Sequence, residues 1–288
     1  MWTQKFDLHS HSVHSDGIHR VDEVAKMMKQ SQVEYWSLTD HDTISGWEEA
    51  RIAAKENHLN FIPGVEITCE PGLEAEVEEL NKMNRERASK SWHLLAYFPE
   101  FSDSNSGIEE FEKWLLPLQE SRLPRMKKMI EKLSELGMPI DIEKVLEKAG
   151  GSVGRPHLAE VMVEMGYVES KSEAFEVWIG DGLPAHYIQP KPSISEATKA
   201  VHSIGGFVSL AHPLYYGIPP SKLIDFCYAN KVDSIEAFHR SHDDQYRFEL
   251  WQACKEFNLR VSCGSDFHGE SYGHNPGKMA IPIQDLCV

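Results

Sequence analysis

The chain has 288 residues, 41% hydrophobic and 26% charged, which is enough for one large barrel with or without an insertion and excludes a disordered or fibrous protein. A formal net charge of −16 excludes a broad basic groove for duplex DNA, and no apolar run approaches the ~20 residues of a membrane span. Five scattered cysteines without a C-x-x-C pair exclude a disulfide framework or thiolate zinc site, and residues 1–7 lack the basic-then-apolar order of a secretory signal, so a reducing cytoplasm is the expected address.

The first hundred residues alternate short apolar strands with helical patterns, the rhythm of a β/α series. Phe6 and Leu8 alternate with polar neighbours and predict a strand over 5–10; Val21, Val24, Met27 and Met28 predict a helix over 20–32. A second strand is expected over 35–38, a helix over 45–57, a third strand over 60–68 and a fourth over 93–98. Residues 70–91, rich in Glu, Lys, Asn and Arg, read as a solvated loop or exposed helix. From 107 to 200 strand signals give way to helical ones. Phe111, Trp114, Leu115 and Leu118 share one face, and Met126, Met129, Ile130 and Leu133 another; Pro117 and Pro124 are expected to interrupt this stretch and Gly137 to end it. Further helices are expected over 141–148, 156–165 and 173–179, and Ser193 with Glu196 forms a capping box for a helix ending near Gly205. Strands return at 207–211, 234–238 and 260–264. The order predicts a barrel in two portions, 1–100 and 201–288, around a helical insertion at 101–200.

Fifteen histidines is the unusual count, and their positions carry the chemistry. His9 and His11 sit two apart on the first expected strand, so both imidazoles point to one face. Asp16-Gly17 forms a turn that can return a carboxylate to that strand's end. Thr39-Asp40-His41-Asp42 follows the second strand, Glu66 ends the third, His93 opens the fourth, His212 follows a later one, and Asp266 and His268 share a face after the last. Each taken singly reads as a loop polar residue or a buried histidine. Together, six histidines and three carboxylates fall at strand termini, where β/α barrels gather side chains from distant sequence. Nitrogen and carboxylate donors without thiolate suit manganese, iron or zinc.

His9-Ser10-His11, Ser15-Asp16-Gly17, Thr39 to Asp42, Gly64-Val65-Glu66, Ala211-His212-Pro213 and Gly264 to Gly269 resemble the polymerase and histidinol phosphatase (PHP) family, in order across both barrel portions. Gly154-Arg155-Pro156-His157-Leu158-Ala159 and residues 180–185 resemble its branch of small nucleotide phosphoesterases, which act on nucleotide monophosphates, 3′,5′-bisphosphates or RNA 5′ ends. The resemblance implies an α/β fold, a distorted (β/α)7 barrel with a helical insertion, and two or three divalent ions, Mn2+ first with Fe2+ or Zn2+ as alternatives. Carried over residue by residue, it implies that His9, His11, Glu66 and Asp266 hold one metal, Glu66, His93 and His212 a second, and Asp16, His41 and His268 a third. Three dications against three ligand carboxylates leave about +3 locally, so an acidic chain can still attract a phosphate monoester.

Arg155 and His157 are the candidates beyond the metal ligands, because a guanidinium grips phosphate through two donors and an imidazole can donate a hydrogen bond or proton. Asp266 is expected to take part in catalysis as well as in metal binding. Lys191, His239 and His242 are further expected phosphate contacts; the last two fit the family's H-P-x-H segment with Arg240 at the position of the proline. His14, His19, His58, His202 and His274 read as ordinary polar or packing residues, and Cys263 as a small apolar one. The expected activity is hydrolysis of a nucleotide phosphate monoester, with trimming of short RNA as a related one, in a protein that binds neither duplex DNA nor membrane. Alternatives are a histidinol-phosphate or other small-molecule phosphatase, an amide or ester hydrolase, and a non-catalytic PHP module.

Overall fold

The protein is represented by a computed structural model that describes residues 1–71, 91–99, 107–149, 152–270, 275–277 and 279–287. Residues 72–90 of the expected solvated segment 70–91, and His274, lie outside the described residues. Three parallel strands, β2 (Phe6–Asp7), β3 (Tyr35–Trp36) and β4 (Asn60–Phe61), form one sheet. A second sheet takes β5 (Gly64–Cys69), β6 (Trp92–Tyr97), β7 (Phe207–Leu210), β8 (Ser234–His239) and β9 (Arg260–Gly264) in that order. Single bridges join the sheets at both margins, Ser10 to Phe267 on one side and His41 to Glu66 on the other. A two-residue strand β1 (Trp2–Thr3) pairs antiparallel with β10 (Ile281–Pro282).

Helix α1 (Val21–Gln30) buries Val21, Val24, Ala25 and Met28, the stripe that the sequence places three and four residues apart, and carries Asp22 and Glu23 in its first turn. Helix α2 (Trp47–Glu56) turns Trp47, Ala50, Ala53 and Ala54 inward. Strands β5, β6 and β8 are buried along nearly their whole length, so they read as continuous apolar runs rather than alternations.

The structure corrects four sequence expectations. The single strand over 60–68 is two strands in different sheets, since Pro63 cannot donate to a ladder and the chain changes partner there. Strand β6 runs antiparallel to both neighbours, so the uniform β/α rhythm fails between β5 and β7. His9 and His11 lie beyond the end of β2, on an extended segment, rather than within a strand. Pro117 sits inside helix α3 (Ile108–Glu120), and Pro124 falls in the first turn of α4 (Arg122–Glu135), where its missing N–H costs nothing; the break comes at Ser121.

Helices α5 (Ile142–Ala149) and α6 (Arg155–Glu164) follow, then a helical turn α7 (Lys171–Glu173) that widens into a π-helix over Ala174–Ile179 where an ordinary helix was expected. Met129, Leu133, Val145, Leu158, Met162 and Ala174 belong to a hydrophobic cluster of this region's own, distinct from the one under the five-stranded sheet. Helix α8 (Ile194–Ser203) opens on the expected capping box: Ser193 Oγ accepts the Glu196 N–H at 3.2 Å and Glu196 Oε2 accepts the Ser193 N–H at 2.8 Å. Helices α9 (Pro220–Asn230) and α10 (Asp244–Glu256) separate the last three strands of the sheet. Among the described residues no helix is long and apolar enough to cross a membrane.

Candidate metal centre

Glu66 is the third residue of β5 rather than the end of its strand as the sequence suggested, and the other candidate ligands converge on it. Its Oε2 lies 3.2 Å from His9 Nε2, 3.2 Å from His11 Nε2 and 3.2 Å from His41 Nδ1. Its Oε1 lies 2.8 Å from His93 Nδ1 and 3.0 Å from His212 Nε2. Asp266 Oδ1 stands 3.5 Å from His9 Nε2 and 3.3 Å from His11 Nε2. Asp16 closes the other flank, with Oδ1 3.1 Å from His268 Nε2 and Oδ2 3.7 Å from His41 Nε2. All nine candidates thus meet in one cluster.

The donor set fits divalent ions. His9 Nε2, His11 Nε2, His41 Nδ1 and Glu66 Oε2 are buried and lack a hydrogen-bond partner, an arrangement costly for polar atoms unless a ligand completes it. Donors held ~2.1 Å from one cation stand roughly 3.0–3.4 Å apart, the spacing seen around Glu66. Among the described residues four groups of side chains could each take an ion: His9, Glu236 and His239; His9, His11, Glu66 and Asp266; His11, Asp16, His41 and His268; and His41, Glu66 and His93. His212 adjoins the last through the same Glu66 oxygen as His93.

Electrostatics agree. Burial by itself would raise the carboxyls of Asp16, Glu66 and Asp266, but the surrounding imidazoles hold all three well below the usual carboxylate range. Burial likewise opposes a charge on His11, yet the nearby carboxylates of Asp266 and Glu66 carry it up to about 10. Burial pulls His41 down to about 3. The acids are therefore ionised, and a cation would replace the proton that His11 otherwise holds.

Close backbone packing and a strained main chain place these groups. A side chain at Gly264 would come within 2.0 Å of His9 Cβ, so glycine lets β9 approach the first histidine. Asp42, His212 and Asp266 adopt φ values of 56°, 28° and 50°, conformations that non-glycine residues keep only when their surroundings enforce them. Outer partners to which the sequence reading gave no role hold part of this backbone. Glu236 Oε1 lies 3.0 Å from His9 Nδ1, and Oε2 accepts the His212 N–H at 2.7 Å. Asp40 accepts from the Ser12 N–H at 2.8 Å, Ser12 Oγ at 2.7 Å and Ser15 Oγ at 2.6 Å, fixing the turn between His11 and Asp16. The signal for Glu236 was a glutamate in an otherwise apolar strand.

A cavity of about 720 Å3 opens over the cluster, lined by seven of the nine candidate ligands, all but His9 and His11, and also by residues of α4 and of the start of α6. Arg155 lines it, paired with Asp181 at 2.7 Å and with its guanidinium carbon 5.6 Å from the Phe175 ring centre. His157 is buried behind it, its Nδ1 accepting the Gly154 N–H at 3.0 Å. Lys191 lines a separate groove with Trp114 and Ile204, and its Nζ donates to Ser91 Oγ at the cavity's edge. His239 lies behind Asp266, 3.5 Å from Oδ2, and groups with His9 and Glu236; His242 Nδ1 donates to the Ala237 carbonyl at 3.0 Å. Between them Arg240 reaches the cavity, 3.0 Å from Asp266 Oδ2. His14, His19 and His202 pair with Glu49, Glu270 and Asp233, as ordinary polar residues do.

Residues 7–121 match the PHP domain. A 5′-3′ exoribonuclease from Haemophilus influenzae is 31% identical over 272 residues, covering 92% of this chain and 90% of the relative. A 3′,5′-nucleoside bisphosphate phosphatase from Chromobacterium violaceum is 26% identical, covering 98% of this chain and 93% of the relative. Among solved structures, a Bifidobacterium adolescentis protein assigned to the metal-dependent phosphoesterases superposes with a TM-score of 0.79 at 28% identity, covering 97% of this chain and 93% of that one.

Proposed function

The chain belongs to the PHP domain family of metal-dependent phosphoesterases, and on that premise we propose that it hydrolyses a phosphate monoester on a nucleotide, with trimming of short RNA from the 5′ end as the same chemistry on a longer substrate. The preferred substrates are a nucleoside monophosphate or 3′,5′-bisphosphate. The observation that carries this reading is the group of three imidazole nitrogens, each 3.2 Å from Glu66 Oε2 and each without a hydrogen-bond partner. A scaffold that had lost its metals would have no reason to keep such atoms buried.

We assign one ion to His9, His11, Glu66 and Asp266, a second to Glu66, His93 and His212, and a third to Asp16, His41 and His268, with manganese first among metals suited to these donors. Bound there, such ions would activate water and neutralise the phosphoryl oxygens. The barrel is read as a distorted seven-stranded one in portions 1–100 and 201–288, with 101–200 as the cap that excludes bulk water from the reacting group. Arg155 lies across the cavity from Glu66 and grips phosphoryl oxygens while Asp181 and Phe175 hold its guanidinium in place. His157, lowered by burial and accepting at Nδ1, carries its proton on Nε2 and donates from there. Lys191, His239 and His242 are the further proposed phosphate contacts, although none of them is among the residues that line the cavity.

A substrate panel with added manganese tests this: a nucleoside 5′-monophosphate, a 3′,5′-bisphosphate, a 5′-phosphorylated oligoribonucleotide and histidinol phosphate. Phosphate or mononucleotide release from the first three is expected. Release from none of them contradicts the proposal.

A further inference from the structure

His41 stands between two aspartates, and the structure gives them different partners. Asp40 holds the turn between His11 and Asp16 through Ser12 and Ser15, and so fastens one side of His41 to the barrel. Asp42 fastens the other side. Its N–H donates to the Glu66 carbonyl at 2.9 Å, its Oδ1 accepts the Thr68 N–H at 2.7 Å and its Oδ2 accepts the Thr68 hydroxyl at 3.0 Å, all on β5. The same Oδ2 accepts Arg122 Nη2, and the Asp42 carbonyl accepts Gln119 Nε2 at 2.8 Å. Both of these donors come from the insertion.

Gln119 and Arg122 flank Ser121, where the chain passes from one core to another. Phe111, Leu115 and Leu118 of α3 pack in the cluster under the five-stranded sheet, whereas Met126 and Met129 of α4 pack in the cap's own. The return crossing lies beside it, since Gln189 Nε2 donates to the Leu118 carbonyl at 3.2 Å and to Ser121 Oγ. Asp42 thus meets the insertion at its root. The contact is shut off from water, with the Arg122 side chain 12% exposed and that of Asp42 1%, so solvent does not replace either partner.

Among the described residues Asp42 belongs to none of the side-chain groups that could hold an ion, and its oxygens already have partners. What it controls is its neighbour. Its φ of 56° is kept by surroundings that enforce it, and it follows the single bridge from His41 to Glu66. From there His41 sets Nδ1 3.2 Å from Glu66 Oε2 and Nε2 3.7 Å from Asp16 Oδ2. Ligands serve an ion well only when held within about 0.5 Å of the required position. We infer that Asp42 is a positioning residue through which Arg122 and Gln119 fix His41, so that the ion assigned to Asp16, His41 and His268 is held tightly only with the insertion in place. This rests on that assignment and extends it: the insertion completes a metal site as well as covering the cavity.

The test titrates manganese into metal-stripped wild type, Asp42→Asn, Arg122→Met, Arg122→Lys and the double variant Asp42→Asn/Arg122→Met, by competition with a metal-sensitive dye, at a temperature where circular dichroism shows each folded. Asparagine tolerates the left-handed backbone, so Asp42→Asn leaves that conformation available. About three equivalents are expected in the wild type. Asp42→Asn and Arg122→Met are each expected to weaken one of them by about 10- to 100-fold and to change the others by less than about threefold. Arg122→Lys, which keeps the charge but not the planar fork, is expected to lie between, and it carries the comparison if Arg122→Met does not fold. Charge alone predicts otherwise. Losing the Arg122 cation would tighten manganese, and the double variant, with the wild-type net charge, would bind as the wild type does. The double variant is instead expected to bind as weakly as the single ones. Unchanged or tighter binding by the Arg122 variants, recovery in the double variant, or equal weakening of every equivalent would overturn the inference. A wild type that binds fewer than three ions at saturation would overturn the third-ion assignment itself, before any variant is compared.

Discussion

Five imidazoles approach the two oxygens of Glu66, and outer residues hold part of this arrangement. Glu236 ties His9 to the His212 backbone, and Asp40 ties the turn that carries Asp16 to the segment before it. Outer partners of metal ligands fix ring orientation and carboxylate position, and their loss commonly weakens metal binding by roughly 10- to 100-fold. Glu236→Gln and Asp40→Asn are accordingly expected to reduce manganese affinity by about that factor, read by competition with a metal-sensitive dye; unchanged affinity would mean that the ligands hold themselves in place. As candidates, the nine residues were legible in the sequence because few residue types bind hard or borderline cations and these were read at strand ends, although Glu66 lies within β5. Arg125, on the cavity wall, was not. An arginine on an amphipathic helix has the pattern of a solvated face, and only tertiary packing shows that its Nε and Nη2 are shut off from solvent without a hydrogen-bond partner.

At the scale of elements, the strands and helices followed from spacing where one face is buried, as in α1 and α2. Sequence patterning failed where strands are buried on both faces: nothing in β6 indicates that it runs antiparallel, because direction is set by the partner and the connection rather than by which residues are apolar. The π-helix after Glu173 was equally illegible; its Phe175 and Glu176 line the cavity, where such widened turns often occur. The turn that follows is tied to the start of α6 by Asp181, which takes Arg155, His186 at 3.2 Å and the Ser91 N–H at 3.0 Å. Burial would raise the Asp181 carboxyl, but its hydrogen bond to His186 and the charge of Arg155 hold it far below its ordinary value of 3.8. The stabilisation it brings is therefore complete above that value and is lost as pH falls further toward the folded-state pKa. Asp181→Asn is expected to cost up to roughly 3 kcal/mol at pH 7, the partial exposure of Arg155 keeping it below a fully buried pair. The gap in melting temperature from wild type should narrow below about pH 4. A gap independent of pH would show that Asp181 acts through shape rather than charge.

Over the whole molecule, a net charge of −16 surrounds a site meant for anions. An excess of acid of this size opposes a polyanionic duplex at long range, whereas the ions proposed at the cluster, with the arginines of α4 and α6 that line the cavity, would reverse the sign inside it. The cap side has its own hydrophobic core, so substrate contacts there can change without disturbing the strands that carry the ligands. That division explains why the metal chemistry was the readable part of this sequence and the substrate the less readable one. The central claim is that nine side chains converge to hold divalent ions, and the most direct measurement is the metal content of the purified protein after manganese supplementation, with Glu66→Gln as its control. About two to three equivalents per chain are expected in the wild type, falling below about one in the variant. A wild-type protein that retains under about one equivalent would contradict the account and leave the cluster a structural relic.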